Sequence, residues 1–309
     1  MIHTPLKIKS ITLKNRIVMP PMATSKSQDG TISDEMIDYY DKRVEKLGLV
    51  IVENGYVKKS DIPLKVPFIS YAEDDKIPNL KKLVDTIHKH NVPVIAQIGH
   101  DGAAVGISSS DGELNGIKYH SMSKEEILDM ENCFVQAAIR AKKAGFDGVE
   151  IHSAHAYLLD QFYSPYFNKR TDEYGQNRIK IHLEIIEKIR KEVGEEYPIF
   201  LRLGACDYCE GGATIEDAVK ACIEFEKAGI DCLDISGGKN IFLHPTDKSP
   251  GYFKEASTAV KKSVKVPVIL TGGVKTVEQA EELLKNGCAD LIGIGRQIMR
   301  YADWAQKNL

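Results

Sequence analysis

Residues 142–162, KKAGFDGVEIHSAHAYLLDQF, carry the pattern that decides the fold. A helix tail ends at Gly145, the residue type best suited to a left-handed C-terminal cap. An apolar run from Val149 to Ile151 follows at once and opens into His152, His155 and Tyr157. The same cadence returns in EKAGIDCLDI (226–235) and KNGCADLIGI (285–294). A second form begins its strand with proline, in NVPVIAQIG (91–99), EYPIFLRLG (196–204) and KVPVILTGG (265–273). At a strand's first residue the missing N–H removes no interior ladder bond.

Extended along the chain, this rhythm predicts parallel strands at Ile17–Met22, Leu49–Val52, Pro93–Ile98, Gly148–Ile151, Pro198–Leu203, Cys232–Ile235, Pro267–Leu270 and Leu291–Ile294. None shows period-two alternation, as expected when helices cover one face and a packed interior the other. Between them, Ser123 with Glu126 and Thr276 with Glu278 and Gln279 fit helix capping boxes. Ile127, Met130, Phe134, Ala137, Ala138 and Ala141 share one helical face. A first helix is expected over 34–47, after the polar loop SKSQDG (25–30). Eight strand–helix units in 309 residues match a (β/α)8 TIM barrel. An open doubly wound sheet is the competing architecture, but no G-x-G-x-x-G follows the first strand. Residues 6–14, alternating around Leu6, Ile8, Ile11 and Leu13, predict a short N-terminal hairpin. With no linker or low-complexity tract, residues 1–309 are expected to form a single domain.

A formal charge of -3 argues against non-specific nucleic-acid binding. No apolar run approaches the roughly 20 residues of a membrane span. The N-terminal MIHTPLKIKSITLKNR lacks the features of a secretory signal, so a cytoplasmic location is expected. Cys133 and Cys222 fall on apolar helix stripes and Cys232 in a strand, so they read as reduced, buried thiols. Cys206 and Cys209 form a C-x-x-C, short of the roughly four thiolates of an iron–sulfur cluster, and are taken as incidental.

In such a barrel, side chains just past the strands' C-terminal ends line the active site. Those positions hold Pro20, Pro21, Met22 and Ala23, then Asn54, Gln97, the His152–His155–Tyr157 group, Arg202, Gly272 with Gly273, and Gly295 with Arg296. The late glycines and Arg296 suit a phosphate. A phosphosugar isomerase or aldolase could use that site, but no strand-borne lysine or paired glutamate base stands out. The two histidines lack a third ligand at recognisable spacing, so no metal is expected. His100 and His244 are left unassigned.

NRIVMPPMA (15–23), Gln97, AGFDGVEIHSAHAYLLDQFYSPYFNKRTDEYG (144–175), Arg202 within FLRL and IGRQIMR (294–300) resemble, in order and spacing, the Old Yellow Enzyme family of oxidoreductases. That resemblance implies flavin mononucleotide (FMN), reduced by NADH or NADPH, and reduction of an activated C=C bond conjugated to a carbonyl. It implies that Pro20, Pro21, Met22 and Ala23 run along the flavin, that Asn54 and Gln97 contact it, and that Arg202 stabilises its reduced, anionic form. Gly273, Gly295 and Arg296 would hold the phosphate. His152 and His155 would grip the substrate carbonyl, and Tyr157 would donate the proton. Two departures stand out. Ala23 replaces the cysteine or threonine of some relatives, and HDGA (100–103) lacks the arginine that many carry at the Ala103 position. The expected partner is a small-molecule substrate, with no nucleic acid or membrane, and a homo-oligomer is left open. The loops 100–122 and 239–253 are expected to cap the mouth.

Overall fold

A computed structural model describes residues 1–63 and 66–309. Eight strands run parallel: β1 (Ile17–Met19), β2 (Leu49–Tyr56), β3 (Val94–Gly99), β4 (Gly148–Ser153), β5 (Ile199–Cys206), β6 (Cys232–Gly237), β7 (Val268–Thr271) and β8 (Leu291–Gly293). Each pairs with its sequence neighbours. β1 meets β8 through Ile17↔Ile292 and β2 through Val18↔Leu49, so the sheet closes on itself. Helices α1 (Asp34–Asp41), α2 (Ile77–His88), α3 (Lys124–Ala144), α4 (Lys180–Val193), α5 (Ile215–Ala228), α6 (Lys254–Ser263), α7 (Val277–Lys285) and α8 (Arg296–Arg300) alternate with the strands. This is the expected (β/α)8 barrel. Leu6–Ile8 and Ile11–Leu13 pair antiparallel as the expected hairpin.

Two apolar layers hold the barrel together. Outward-facing Val149, Ile151, Leu201, Leu203 and Leu270 pack with helix residues such as Phe134, Ile185 and Phe225. A smaller inner cluster joins Val18, Leu49, Ile51, Ile95, Phe200, Cys232, Ile269 and Leu291 to Ile8, Ile11 and Leu13, so the hairpin plugs the barrel's base. Further up, the inward positions turn polar: Gln97, Glu150, Arg202 and Asp234 are all buried. The strands therefore alternate in facing from their start but in polarity only from mid-strand onward, which hides the period of two.

Several boundaries differ from expectation. β2, β3, β4, β5, β6 and β7 run further toward their C-terminal ends than the apolar runs suggest, while β1 stops at Met19 and β8 at Gly293. α1 ends at Asp41, not near residue 47. The Arg43 guanidinium takes the Tyr39 carbonyl at 2.9 Å, and the Arg43 N–H turns to Tyr40 O, also at 2.9 Å. The Ser123–Glu126 capping box forms completely. At Thr276 only half does: Gln279 reaches back to the Lys275 N–H at 2.9 Å instead of the cap residue's own. An unanticipated complete box, Thr214 with Asp217, starts α5. Cys133 is half-buried and Cys209 exposed, while Cys222, Cys232 and Cys288 are buried; all six thiols are free. No helix among the described residues is long and apolar enough to cross a membrane.

Candidate active site

A cleft of about 360 Å³ opens at the C-terminal ends of the strands, within the usual ligand-pocket range of roughly 300–1,000 Å³. Its wall contains Pro20, Pro21, Met22 and Ala23 after β1, Asn54 on β2, Gln97 on β3, and His152 at the end of β4. His155 and Tyr157 follow in the next loop, with Arg202 on β5, Gly273 after β7, and Gly295 and Arg296 after β8. The structure thus brings every residue given a site role from sequence to one cavity, while His100, His244, Cys206 and Cys209 lie outside its lining.

Local structure explains how each is aimed. A register shift between Val52 and Gly55 breaks the pairing of β2 with β3, and such a bulge re-aims a side chain; here Asn54 turns into the cleft. Buried Glu53 beside it accepts the Thr24 N–H at 3.1 and 3.2 Å, fixing the loop after β1. Burial pushes the Glu53 carboxyl up to about 7. After β4 the chain takes two successive non-glycine residues through the left-handed region, His155 at φ 62° and Ala156 at φ 60°. Such conformations cost about 1–3 kcal/mol each and persist only where surroundings impose them. Here the Ala156 N–H donates to Asp160 Oδ2 at 2.7 Å, and the Leu158 N–H to His100 O at 2.9 Å.

The turn gathers the aromatic rings. His152 and His155 lie 5.2 Å apart between centroids, and His152 and Tyr157 4.5 Å. Phe68 meets Tyr157 edge-on at 6.4 Å, and Phe242 meets His155 at 6.3 Å. Burial, then the Arg202 charge, holds both imidazoles well below their ordinary pKa. Burial, then Asp101, holds the Tyr157 phenol well above its own. All three are therefore neutral near pH 7. Ser236 Oγ accepts from Arg202 Nη2 at 3.4 Å and shares a 2.8 Å hydrogen bond with His155 Nε2. That contact fixes the orientation of the His155 ring.

Under the cleft lies a buried polar layer. Gln97 Nε2 donates to Glu150 Oε1 at 2.8 Å, and Arg202 Nε stands 3.3 Å from Asp234 Oδ2. After β7, Gly272 and Gly273 adopt φ of 159° and 72°. A Cβ on either would meet the Tyr252 ring at 2.7 or 2.8 Å. Arg296 Nη2 donates to the Tyr252 hydroxyl at 3.3 Å. The helix after Gly295 has only five residues, and α7 begins at Val277, beyond Gly273. Helix dipoles thus contribute little here.

Sequence reasoning missed Ser236, Thr271, Phe68, Ile241, Phe242, Tyr252, Val274 and Met299, which also line the cleft. Ser236 and Thr271 carried a signal, since both sit at strand ends on the inward side. Phe68 carried none, because its position depends on the loop after β2. The 239–253 loop reaches the cleft as expected, through Ile241, Phe242 and Tyr252. The 100–122 loop does not line it; His100, Asp101 and Val105 face a second cleft of about 280 Å³ beside Phe68. Residues 107–121 are drawn away into a small sheet of their own.

A family model described as NADH:flavin oxidoreductase / NADH oxidase matches residues 1–308. The chain is 35% identical over 324 residues to an NADH oxidase of Thermoanaerobacter brockii, covering 97% of this chain and 49% of that protein. It is 35% identical over 318 residues to an NADPH dehydrogenase of Bacillus cytotoxicus, covering 97% and 89%. The chain therefore spans about half the length of the first relative and most of the second. A solved 2-naphthoyl-CoA reductase in complex with 2-naphthoyl-CoA superposes with a TM-score of 0.90 at 25% identity, over 99% of this chain and 52% of that one. The old yellow enzyme homologue of Zymomonas mobilis superposes at 0.85 with 24% identity, over 99% and 91%, a likeness of fold.

Proposed function

Since this chain belongs to the NADH:flavin oxidoreductase / NADH oxidase family, we propose that it is an FMN-dependent enzyme that takes reducing equivalents from NADH or NADPH and reduces the activated C=C bond of an α,β-unsaturated carbonyl compound. The observation that carries this reading is the grouping of His152, His155 and Tyr157 over a floor of uncommitted polar atoms.

Those atoms fit a flavin. Both side-chain polar atoms of Asn54 are buried without a hydrogen-bond partner, as is His152 Nδ1. Among the described residues the Arg202 side chain donates one hydrogen bond, to Ser236, which leaves most of its five donors free. Asn54, Gln97 and Arg202 would hold the ring system, with the backbone of Pro20, Pro21, Met22 and Ala23 along it. Gly273, Gly295 and Arg296 would hold the phosphate. When bound, FMN supplies the two-electron transfer between nicotinamide and substrate.

The chain's own residues do the rest. His152 and His155 bind the carbonyl oxygen as neutral donors, and Ser236 holds the His155 ring in place. Negative charge that grows on that oxygen in the transition state meets donors already in place, so the transition state gains more than the ground state. Tyr157, protonated at neutral pH, delivers a proton to the substrate α-carbon. Among the described residues lining the cleft there is no lysine and no carboxylate, which leaves an aldolase or enolising isomerase without its base. We place the reaction in the cytoplasm, on a small-molecule substrate.

Colour and half-reactions test the reading. The purified protein should be yellow, bleach with NADH or NADPH, and recover when an enone is added. Tyr157→Phe should slow the recovery about 100-fold or more, within the usual worth of a general acid, and leave bleaching unchanged in stopped flow. Equal loss in both half-reactions would remove Tyr157 as proton donor; a colourless protein that refuses FMN would remove the whole reading.

A further inference from the structure

The polar layer beneath the cleft contains two buried acids that the reaction above does not use. The β5–β6 register sets Asp234 opposite Arg202. Their side chains are 0% and 4% exposed, with Asp234 Oδ2 3.3 Å from Arg202 Nε. Neither atom has a hydrogen bond of good geometry, so the pair is close in charge but not locked. Asp234 Oδ1 accepts from Thr271 Oγ1 at 3.4 Å. Asp234 itself does not line the cleft; it can act there only through Arg202.

We propose that Asp234 is the positioning residue for Arg202, and that by holding the guanidinium and offsetting its charge it sets how strongly the cleft prefers reduced over oxidised flavin. The inference rests on the flavin reading above. The groups facing Arg202 decide the balance. Glu150, from β4, accepts from Gln97 at 2.8 Å through one oxygen, and its other oxygen is buried without a partner. Burial, then the Asp234 charge, pushes Glu150 up to about 8, so at neutral pH it is mostly protonated. His152 and His155 are neutral, and Gln97, Ser236 and Thr271 carry no charge. Burial pushes Asp234 up as well, to about 6, while Arg202 and then Thr271 draw it down, so at neutral pH the layer holds one cation and one anion. Two-electron reduction places negative charge on the flavin ring, which an uncompensated arginine would favour strongly in so dry a setting. Asp234 keeps that preference moderate.

The experiment is a midpoint potential of the FMN-loaded protein, measured against a reference dye, with Asp234 and with Asp234→Asn, each beside Glu150→Gln so that Glu150 cannot ionise in place of the lost acid. Loss of the anion should raise the preference for reduced over oxidised FMN about tenfold, which for a two-electron couple is about +30 mV. An unchanged or lowered potential in a variant that keeps its fold and its flavin overturns the proposal and leaves the flavin reading intact. Should Asp234→Asn fail to fold, Thr271→Val provides the milder test. It removes the hydroxyl that supports the Asp234 charge, so the potential should rise by the equivalent of about twofold in that preference; no rise overturns the proposal. A wild-type protein that binds no FMN overturns both readings together.

Discussion

Ser236 shows how one hydroxyl can organise a site without touching the reacting atoms. It accepts from Arg202 and shares a hydrogen bond with His155 Nε2, linking the cation under the cleft to the imidazole above it. Ser236→Ala leaves His155 free to rotate. We expect about a tenfold drop in kcat/KM for enones, comparable to the loss of one hydrogen bond to a catalytic group, with flavin reduction by nicotinamide little changed. Steady-state and stopped-flow rates check this. Glu150 makes a different residue-level prediction. Its pKa is about 8 in the folded protein, because of burial and then Asp234, against about 4.3 in the unfolded chain. Between those values the folded state keeps a proton that the unfolded state has released. Stability therefore falls as pH rises through that window and levels off above it. Glu150→Gln should flatten the slope in urea unfolding at pH 5 and pH 8.

At the scale of elements, the turn after β7 matters as much as any side chain. Gly273 has φ 72°, and a Cβ there would press the Tyr252 ring at 2.8 Å. Gly273→Ala should weaken FMN binding at least tenfold by fluorescence titration while costing about 1–3 kcal/mol of stability, the usual toll of a strained backbone. The elements were readable from sequence to very different degrees. Helix-facing residues such as Val149 and Leu201 announce their strands, because burial against helices demands continuous apolar character. The Ser123 cap and the glycine at residue 145 mark their helix ends for equally local reasons. By contrast, α1 stops early because a side chain from Arg43 captures a carbonyl, which no periodicity records. Tyr252 reaches the turn after β7 from a long loop, and Asn54 faces the cleft only because of a bulge; both depend on tertiary packing. The residues assigned by resemblance to a family were found together because a motif preserves the outcome of such packing without explaining it.

For the whole molecule, the inner apolar cluster at the hairpin end is decisive. Leu13 is fully buried there among Val18, Leu49, Phe200 and Leu291. Leu13→Ala should cost about 2–5 kcal/mol in chemical denaturation, as for other large-to-small changes in a closed core, with the opposite rim and its cofactor affinity unaffected. A barrel corked at one end is a cup with a single opening. On the proposed function, donor and acceptor would then share one doorway and one landing place. Turnover on such a scaffold would be a matter of alternation, the first visitor leaving before the second arrives, with an excess of either obstructing its counterpart.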